Sequence, residues 1–475
     1  MVFCPYIKWL VKDPVLMGQV RLFDYKPPLL PRLTVALPWY LPNAARNVHL
    51  HCIGLSNSGK SKFVEGLFVS DVLAGRGCCL IDPDEDLAYD TLRYLLTLGY
   101  FHDSKNKHPH AHLAAYKRVI YFEPARKDFC IPFNILNNPE FEPDALTGHI
   151  VEAFRRAWTS IKDGPRFIAV AQPAILLLIE AGMTLPDLYL LLEDDQFRAQ
   201  VLARSRNRGL VQQFLREFEI WHQTQATNNE SVTNKLTDHV FSPPVRRCMG
   251  VTANHINVRH IMDSGKVLIV NLRGLSEPVQ RLFGSLLTIL FEQAALSRPQ
   301  HARRPFYYHL DEFQDYCAGE GAALTLGKLL SRARKRNFYL HLYHQSLGQL
   351  HGHILDALGN VALNVAFQLS YEDAKALVHV FKIRSESWTE DIAQLQDLLP
   401  RRAWVKQRHT NLCEILTAPI PNYTATSKDL EEVIQNLERK HGVPAPVFGS
   451  VTINGASAQL SSEPWRIPPT VPQKY

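Results

Sequence analysis

The chain has no apolar run long enough to cross a bilayer. Its two longest, Ala169 to Ile179 and Leu282 to Leu296, are broken by Gln172 and Pro173 in one and by Gly284, Glu292 and Gln293 in the other. No charged stretch leads into an apolar one at the N-terminus, so a secretory signal is not expected. Together these absences point to a cytoplasmic protein without a membrane span of its own, recruited to a membrane only through a partner. There is no Cys-x-x-Cys pair. The eight cysteines, at 4, 52, 78, 79, 130, 248, 317 and 413, are scattered and several lie in apolar stretches, so they read as buried, reduced thiols. Charge of one sign is not in large excess: 52 Lys and Arg against 46 Asp and Glu leave +6, which permits a polyanionic partner without requiring one. No internal repeat is visible. What remains, 475 residues of which 46% are hydrophobic, suffices for a large core in two or three domains.

What is present begins with Gly54-Leu-Ser-Asn-Ser-Gly59-Lys60-Ser61, a match to G-x-x-x-x-G-K-[ST]. A β-like stretch, Val48 to Ile53, leads in, and Lys62 to Ala74 follows with helical spacing of Phe63, Leu67, Val69 and Leu73. Such a loop at a helix N-terminus turns backbone N–H groups inward around a phosphate. The candidate nucleotide-binding residues are Gly54, Ser56, Asn57, Ser58, Gly59, Lys60, Ser61 and Lys62. Lys60 is placed to reach the β- and γ-oxygens, and Ser61 to ligate Mg²⁺. The expected ligand is a nucleoside triphosphate, with Mg²⁺ as cofactor.

Along the chain, residues 1–47 read as a β-rich segment with strands at Gln19 to Phe23 and Leu33 to Leu37. Strand signals at Cys78 to Ile81, Arg118 to Phe122 and Phe133 to Leu136 complete a first half, 48–139. From 140 to 262 the pattern is helical: Asp144 to Ile161, Pro165 to Ala181, Leu185 to Leu192, Gln196 to Ala203, Val211 to Gln225 and Val232 to Met249. Strands and helices alternate again over 263–417, with strands at Val267 to Asn271, Phe306 to Leu310, Phe338 to Leu342, Val361 to Leu369 and Ala403 to Lys406. The helices between them are read at Val279 to Ala295, Leu324 to Arg334 and Glu372 to Phe381. Residues 418–475 give one amphipathic helix, Leu430 to Lys440, and a proline- and serine-rich tail. The fold class is α/β, with a mostly parallel sheet and an inserted all-α domain.

A second strand should deliver acids to the site, and Tyr307 to Glu312 does so: Asp311 to hold the metal, Glu312 to polarise the attacking water. Gln345, at the tip of the next strand, is placed to sense the γ-phosphate. Arg332, Arg334, Lys335 and Arg336 form a basic helix end, favoured there by the helix dipole even with no ligand.

The ordered series His51 to Ser61, Leu80 to Asp86, Phe133 to Leu136, Pro305 to Gln314, Ala333 to Lys335, His344 to Ser346, Gly359 to Val361 with Phe367, and Glu372 to Ala374 resembles the FtsK/HerA superfamily of P-loop motor ATPases. It is most similar to the coupling-protein branch that feeds DNA into type IV secretion and conjugation machines. The resemblance covers roughly residues 45 to 410. It implies a RecA-like sheet and a ring, usually a hexamer, with ATP between subunits. It further implies Lys60 and Ser61 as the Walker A pair, Asp311 and Glu312 as the Walker B pair, Gln345 as sensor, and Arg334 as the arginine presented to a neighbour's nucleotide, worth about 10³ to 10⁵ in rate. The chain departs from the family at Asp82 to Asp86. Ile-Asp-Pro-His-Gly-Asp is common there, and Asp84 and Glu85 instead add two acids that either alter metal handling or lie outside the site.

The implied function is an ATP-driven motor that translocates or unwinds DNA. The alternative is a nucleotide-gated assembly or receptor ATPase that docks a protein through the helical insertion or the C-terminal tail. The doublets Arg155-Arg156, Arg246-Arg247, Arg303-Arg304 and Arg401-Arg402 are candidates to track phosphates, although scattered doublets are commonly solvated surface. His108, His110 and His112 alternate in a polar stretch and are weak metal candidates. Trp158, Trp221 and Trp388 read as core.

Overall fold

Short β-branched and aromatic runs bounded by glycine or acidic turns make the strands of one sheet. They are β1 (Val15–Tyr25), β2 (Leu33–Leu41), β3 (Leu50–Ile53), β4 (Gly77–Asp82), β5 (Val119–Phe122), β7 (Val267–Asn271), β8 (Phe306–Leu310), β9 (Phe338–His344), β10 (Leu363–Ala366), β11 (Arg402–Gln407) and β12 (Cys413–Thr417). Outside this sheet, β6 (Phe129–Cys130) pairs with β13 (Val443–Pro444). The computed structural model describes residues 15–25, 33–41, 46–84, 86–101, 114–157, 164–225, 240, 242–299, 304–316, 326–327, 329–350, 352–359, 361–381, 383, 387–407 and 412–445.

The sheet runs in the order β2-β1-β12-β11-β10-β3-β9-β8-β4-β7-β5. From β10 to β7 neighbouring strands are parallel, whereas β11, β12, β1 and β2 extend the sheet by antiparallel pairing. Every residue of β3, β4, β7, β8 and β9 is buried, as expected of parallel strands covered on both faces.

Several polar groups in and beside these strands meet one another, although His49 Nε2 and His341 Nδ1 have no hydrogen-bond partner among the described residues. His51 Nε2 lies 2.7 Å from His344 Nε2, His309 Nδ1 lies 2.8 Å from the Tyr343 hydroxyl, and His49 Nδ1 accepts the Leu340 N–H at 3.0 Å. Beneath the first helix, Arg46 donates to both carboxylate oxygens of Asp71 at 2.5 and 2.6 Å, and Arg76 adds a bond of 3.0 Å.

The helices are α1 (Lys60–Leu73), α2 (Asp86–Thr97), α3 (Ala114–Arg118), α4 (Pro143–Ala157), α5 (Gly164–Glu180), α6 (Asp187–Glu193), α7 (Asp195–Arg204), α8 (Arg208–Gln225), α9 (Pro243–Met249), α10 (Val258–Asp263), α11 (Glu277–Ser297), α12 (Gly352–Leu358), α13 (Tyr371–Phe381), α14 (Trp388–Gln396) and α15 (Ser427–His441). Contacts divide the chain into two units, 1–121 with 258–273 and 290–437, and 122–257 with 274–289 and 438–475. The first holds the sheet and its core, to which Leu430, Val433, Ile434 and Leu437 of α15 contribute. In the second, α5 packs on α4, α6 and α8.

Although of the helix read at Val232 to Met249 only α9, Pro243–Met249, lies in described residues as a helix, the mostly parallel α/β sheet and the helical run between β6 and β7 were legible from periodicity. Helix α2 was not, because its start is hidden in the acidic run after β4: Asp82 accepts the Ala88 N–H at 2.7 Å and the Asp84 N–H at 2.9 Å, satisfying backbone donors at a helix start. Strand β12 and helix α14 were also unread. Phe133 forms an isolated bridge to Asn254 instead of a strand, and the basic stretch after 329–332 is a 3-10 turn, Ala333–Arg336. Trp221 is core as expected. Trp388 corrects the sequence reading: it is 68% exposed, at the first turn of α14. Trp158, the 108–112 histidines, Arg303 and the tail beyond 445 lie outside the described residues. Cys52, Cys78, Cys79, Cys130 and Cys248 are buried free thiols. Among the described residues, no helix is long and apolar enough to cross a membrane.

Candidate functional site

The loop between β3 and α1 is shaped by two residues in the left-handed region, Asn57 at φ 63° and Gly59 at φ 106°. Gly54 has no room for a side chain, since a Cβ there would stand 2.6 Å from Phe367 Cβ. The base of the loop is tied to both neighbouring strands: the Gly54 N–H donates to the His344 carbonyl at 3.4 Å and the Leu55 N–H to the Gln368 carbonyl at 2.9 Å. Helix α1 starts at Lys60 without a side-chain cap, so its first N–H groups and the positive end of its dipole are directed at the loop. Ser58 is 2% exposed, and its Oγ has no hydrogen-bond partner among the described residues. An uncapped helix start and an unmatched buried hydroxyl fit a phosphate group.

The sheet order decides what faces this loop. Strand β9 lies between β3 and β8, so the residues at its C-terminal end stand between the loop and the acids that follow β8. Gln345 makes the connection: its Oε1 accepts from Ser56 Oγ at 3.0 Å, and its Nε2 donates to Glu312 Oε1 at 3.0 Å. Lys60 Nζ donates to the same Glu312 oxygen at 2.8 Å and lies 3.8 Å from Asp311 Oδ1. Gln314 Nε2 holds the other Glu312 oxygen at 2.8 Å and reaches Gln349 Oε1 at 3.4 Å. Glu312 itself sits at φ 43°, a conformation that costs a non-glycine residue about 1–3 kcal/mol and is found where surrounding structure enforces it.

Charge is crowded here. Burial pushes the Asp311 carboxyl up to about 7; Lys60 opposes this and the Glu312 and Asp82 charges reinforce it. Burial likewise raises Asp82 to about 6. Burial works to lower the Lys60 ammonium, but Asp311 and Glu312 outweigh it and hold Lys60 above its ordinary value. Asp84 is raised by burial and then by Glu312, so this departure from the family pattern lies within electrostatic reach of the site. Glu85 lies outside the described residues. Lys60 is shared between Asp311 and Glu312, and among the described residues no group of three or more acids, histidines or cysteines is arranged to hold a metal ion by itself, so a cation here would need ligands from outside the chain, such as phosphate oxygens.

Lys60, Ser56, Glu312, Asp311 and Gln345 are thus brought together, and Gly54, Asn57, Ser58 and Gly59 form the loop around them. Ser61 is exposed at the first turn of α1. The Lys62 side chain goes elsewhere: it donates to Glu65, Asp90 and the Tyr423 hydroxyl. Arg334 is not in the site. It precedes β9, whose residues Phe338–His344 span roughly 20 Å at about 3.3 Å per residue, and the loop is at the far end of that strand.

The basic doublets do not behave alike. Arg155 is exposed, but Arg156 is buried against Glu152, Arg247 donates to the Pro124 and Ala125 carbonyls, and Arg402 pairs with Glu414 at 2.6 Å. Arg336 exchanges carbonyl bonds with Arg298, whereas Arg332, Arg334 and Lys335 are exposed. Sequence reasoning missed Asp82 and Gln314 as parts of the site; a second acid ending a buried strand and a glutamine two residues beyond Glu312 were the available signals.

No family model matches the chain, and no curated protein matches it. Solved structures do. The plasmid coupling protein TrwB in complex with ADP and Mg²⁺ superposes at a TM-score of 0.53 and 16% identity, covering 82% of this chain and 90% of that one. The unbound bacterial conjugative coupling protein TrwB gives 0.51 at 16% identity, with 81% and 88% covered. VirB4 of Thermoanaerobacter pseudethanolicus gives 0.51 at 15% identity, with 86% and 98% covered. The chain has the RecA-like P-loop fold of these proteins, as its motif series led us to expect.

Proposed function

We propose that the chain is an ATP-hydrolysing motor that assembles as a ring and moves DNA. The observation that carries the hydrolytic part is the constellation Lys60–Glu312–Gln345–Ser56, built from the ends of three adjacent parallel strands at an uncapped helix start. ATP would lay its phosphates along Gly54 to Ser61. Mg²⁺, held by Ser61 and Asp311, would neutralise phosphate charge there. Lys60 leaves Glu312 for the β- and γ-oxygens, which frees the carboxylate to take the proton of the attacking water. Gln345, already bonded to both the loop and Glu312, registers whether the γ-phosphate is present.

Ring assembly is supported by the place of Arg334. An exposed arginine at the opposite end of β9 from its own loop has no nucleotide to serve within one chain, whereas a head-to-tail neighbour offers one. Mixing Lys60→Ala with Arg334→Ala chains, each inactive alone, should restore a measurable fraction of ATPase activity. Mixtures as inactive as either parent would rule out action between subunits.

DNA as the track is supported by the fold shared with a conjugative coupling protein and by the exposed Arg155, Arg332, Arg334 and Lys335. The test is steady-state ATP hydrolysis without nucleic acid, with single-stranded DNA and with duplex DNA. A rise of severalfold with one of them, absent in Glu312→Gln, is expected. Hydrolysis that ignores both would favour the assembly or receptor ATPase.

A further inference from the structure

Arg401 is the residue at the nucleotide loop that the motif series does not explain. It lies in the turn before β11, more than three hundred residues from the loop in sequence, yet its backbone N–H donates to the Ser58 carbonyl at 2.8 Å. Its Cα lies 3.0 Å, and its backbone nitrogen 3.1 Å, from where a Cβ on Gly59 would stand. Loop carbonyls must point outward if the N–H groups are to point at phosphate, and the carbonyl of the buried Ser58 is satisfied by this bond. The Arg401 carbonyl in turn accepts the Thr417 N–H at 2.8 Å, so the strap is anchored on β12.

The strap alone does not call for arginine. Arg401 holds φ 67°, a left-handed conformation that glycine or asparagine adopts at far lower cost, and either would supply the same N–H and carbonyl. The cost is borne by a side chain that is exposed, with its Cγ 3.4 Å from the same Gly59 point and a guanidinium that donates to the Thr417 carbonyl at 3.2 Å. That bond occupies one of five N–H donors on a group that matches phosphate geometry. A strained arginine whose backbone braces a phosphate loop and whose charge stands at the rim of that loop is built to bind an anion delivered there.

We infer that Arg401 is a ligand, supplied by the same subunit, for the phosphate tail of the bound nucleotide: its backbone braces the loop, and its guanidinium turns from the Thr417 carbonyl to the phosphates when nucleotide enters. The inference rests on the nucleotide-binding reading above. It also makes the β11–β12 hairpin part of the nucleotide site, so a force on that hairpin changes nucleotide affinity.

The test is equilibrium titration of the full chain with fluorescent ADP and Mg²⁺, beside the melting temperature of the nucleotide-free protein. Arg401→Gly and Arg401→Asn keep the N–H and relieve the backbone, so both should melt no lower than wild type. They should nevertheless bind MgADP at least tenfold more weakly, and Arg401→Lys should recover part of the loss, while binding of adenosine, which has no phosphate, should be equal in all. Variants that bind MgADP within twofold of wild type, or that lose affinity only in step with lost thermal stability, overturn the assignment alone. A wild-type chain that binds no MgADP overturns the nucleotide reading and this inference together.

Discussion

Glu312→Gln should reduce the turnover of ATP by at least about a hundredfold while leaving MgATP bound, because a positioned general base contributes roughly 10²–10⁴ in rate. The structure makes the expectation sharper than the motif does. Glu312 Oε1 accepts from both Lys60 and Gln345, and Oε2 from Gln314. An amide retains one oxygen for these donors but turns an NH₂ toward another of them, so the lysine is released from one of its two acids. Nucleotide must displace Lys60 from Glu312 in the wild type; in the variant that competition is weakened. MgATP affinity should therefore be unchanged or tighter even as turnover collapses. Hydrolysis within threefold of wild type would remove Glu312 from the role of base, and affinity lost in parallel with rate would mean that the residue shapes the loop instead.

Asp71→Asn should destabilise the sheet-containing unit by about 3–5 kcal/mol, the usual consequence of removing one partner from a buried ion pair, or on the order of 10 °C in melting temperature. Asp71 lies on α1, fully buried, between Arg46, itself 1% exposed, and Arg76; His309 Nε2 stands 3.5 Å away. The Arg46 guanidinium also lies over the Tyr307 ring at 4.6 Å. Removing the carboxylate charge leaves a buried guanidinium without its counter-ion. Burial by itself would raise the Asp71 pKa, but Arg46 and the His309 contact outweigh it and hold the group below its ordinary 3.8. A depressed carboxylate stabilises fully above its unfolded pKa, and that contribution is lost as pH falls through the folded one. The gap in urea midpoint between wild type and Asp71→Asn should therefore be constant near neutrality and shrink below about pH 4. A gap under about 1 kcal/mol at neutral pH would show that the two arginines find other acceptors.

How much of this was legible in sequence follows from the range of the forces involved. The loop Gly54 to Ser61 was readable because its requirements are local: glycine where a Cβ collides with Phe367, glycine again at φ 106°, and a lysine opening the helix. The acid pair was readable because a buried strand ending in Asp-Glu is costly without a cation. The strands read at 48–53, 306–310 and 338–342 followed from continuous apolar and aromatic character, even though His51, His309 and His341 interrupt it, and the last of them runs on to His344 in the structure. Those histidines are tolerated because neighbouring strands present rings and hydroxyls to them, which no single strand reveals. Helix α2 was missed because its cap, Asp82, belongs to the preceding strand, and Trp388 was misassigned because helical spacing marks a face without saying what covers it.

By itself the sequence determined where the glycine-flanked loop, the acid pair and the alternating strands and helices lie, and it named the arginine proposed beyond them. Only the tertiary structure decided that β9 lies between the loop strand and the acid strand, so that Gln345 joins Ser56 to Glu312. The same strand separates Arg334 from its own loop by its full length. Arg401, from the antiparallel end of the sheet, braces Ser58 through a backbone bond that carries no side-chain signature. The physical reason is that periodicity and spacing report what a residue does within its own strand or turn, whereas strand order is set by the packing of the whole sheet.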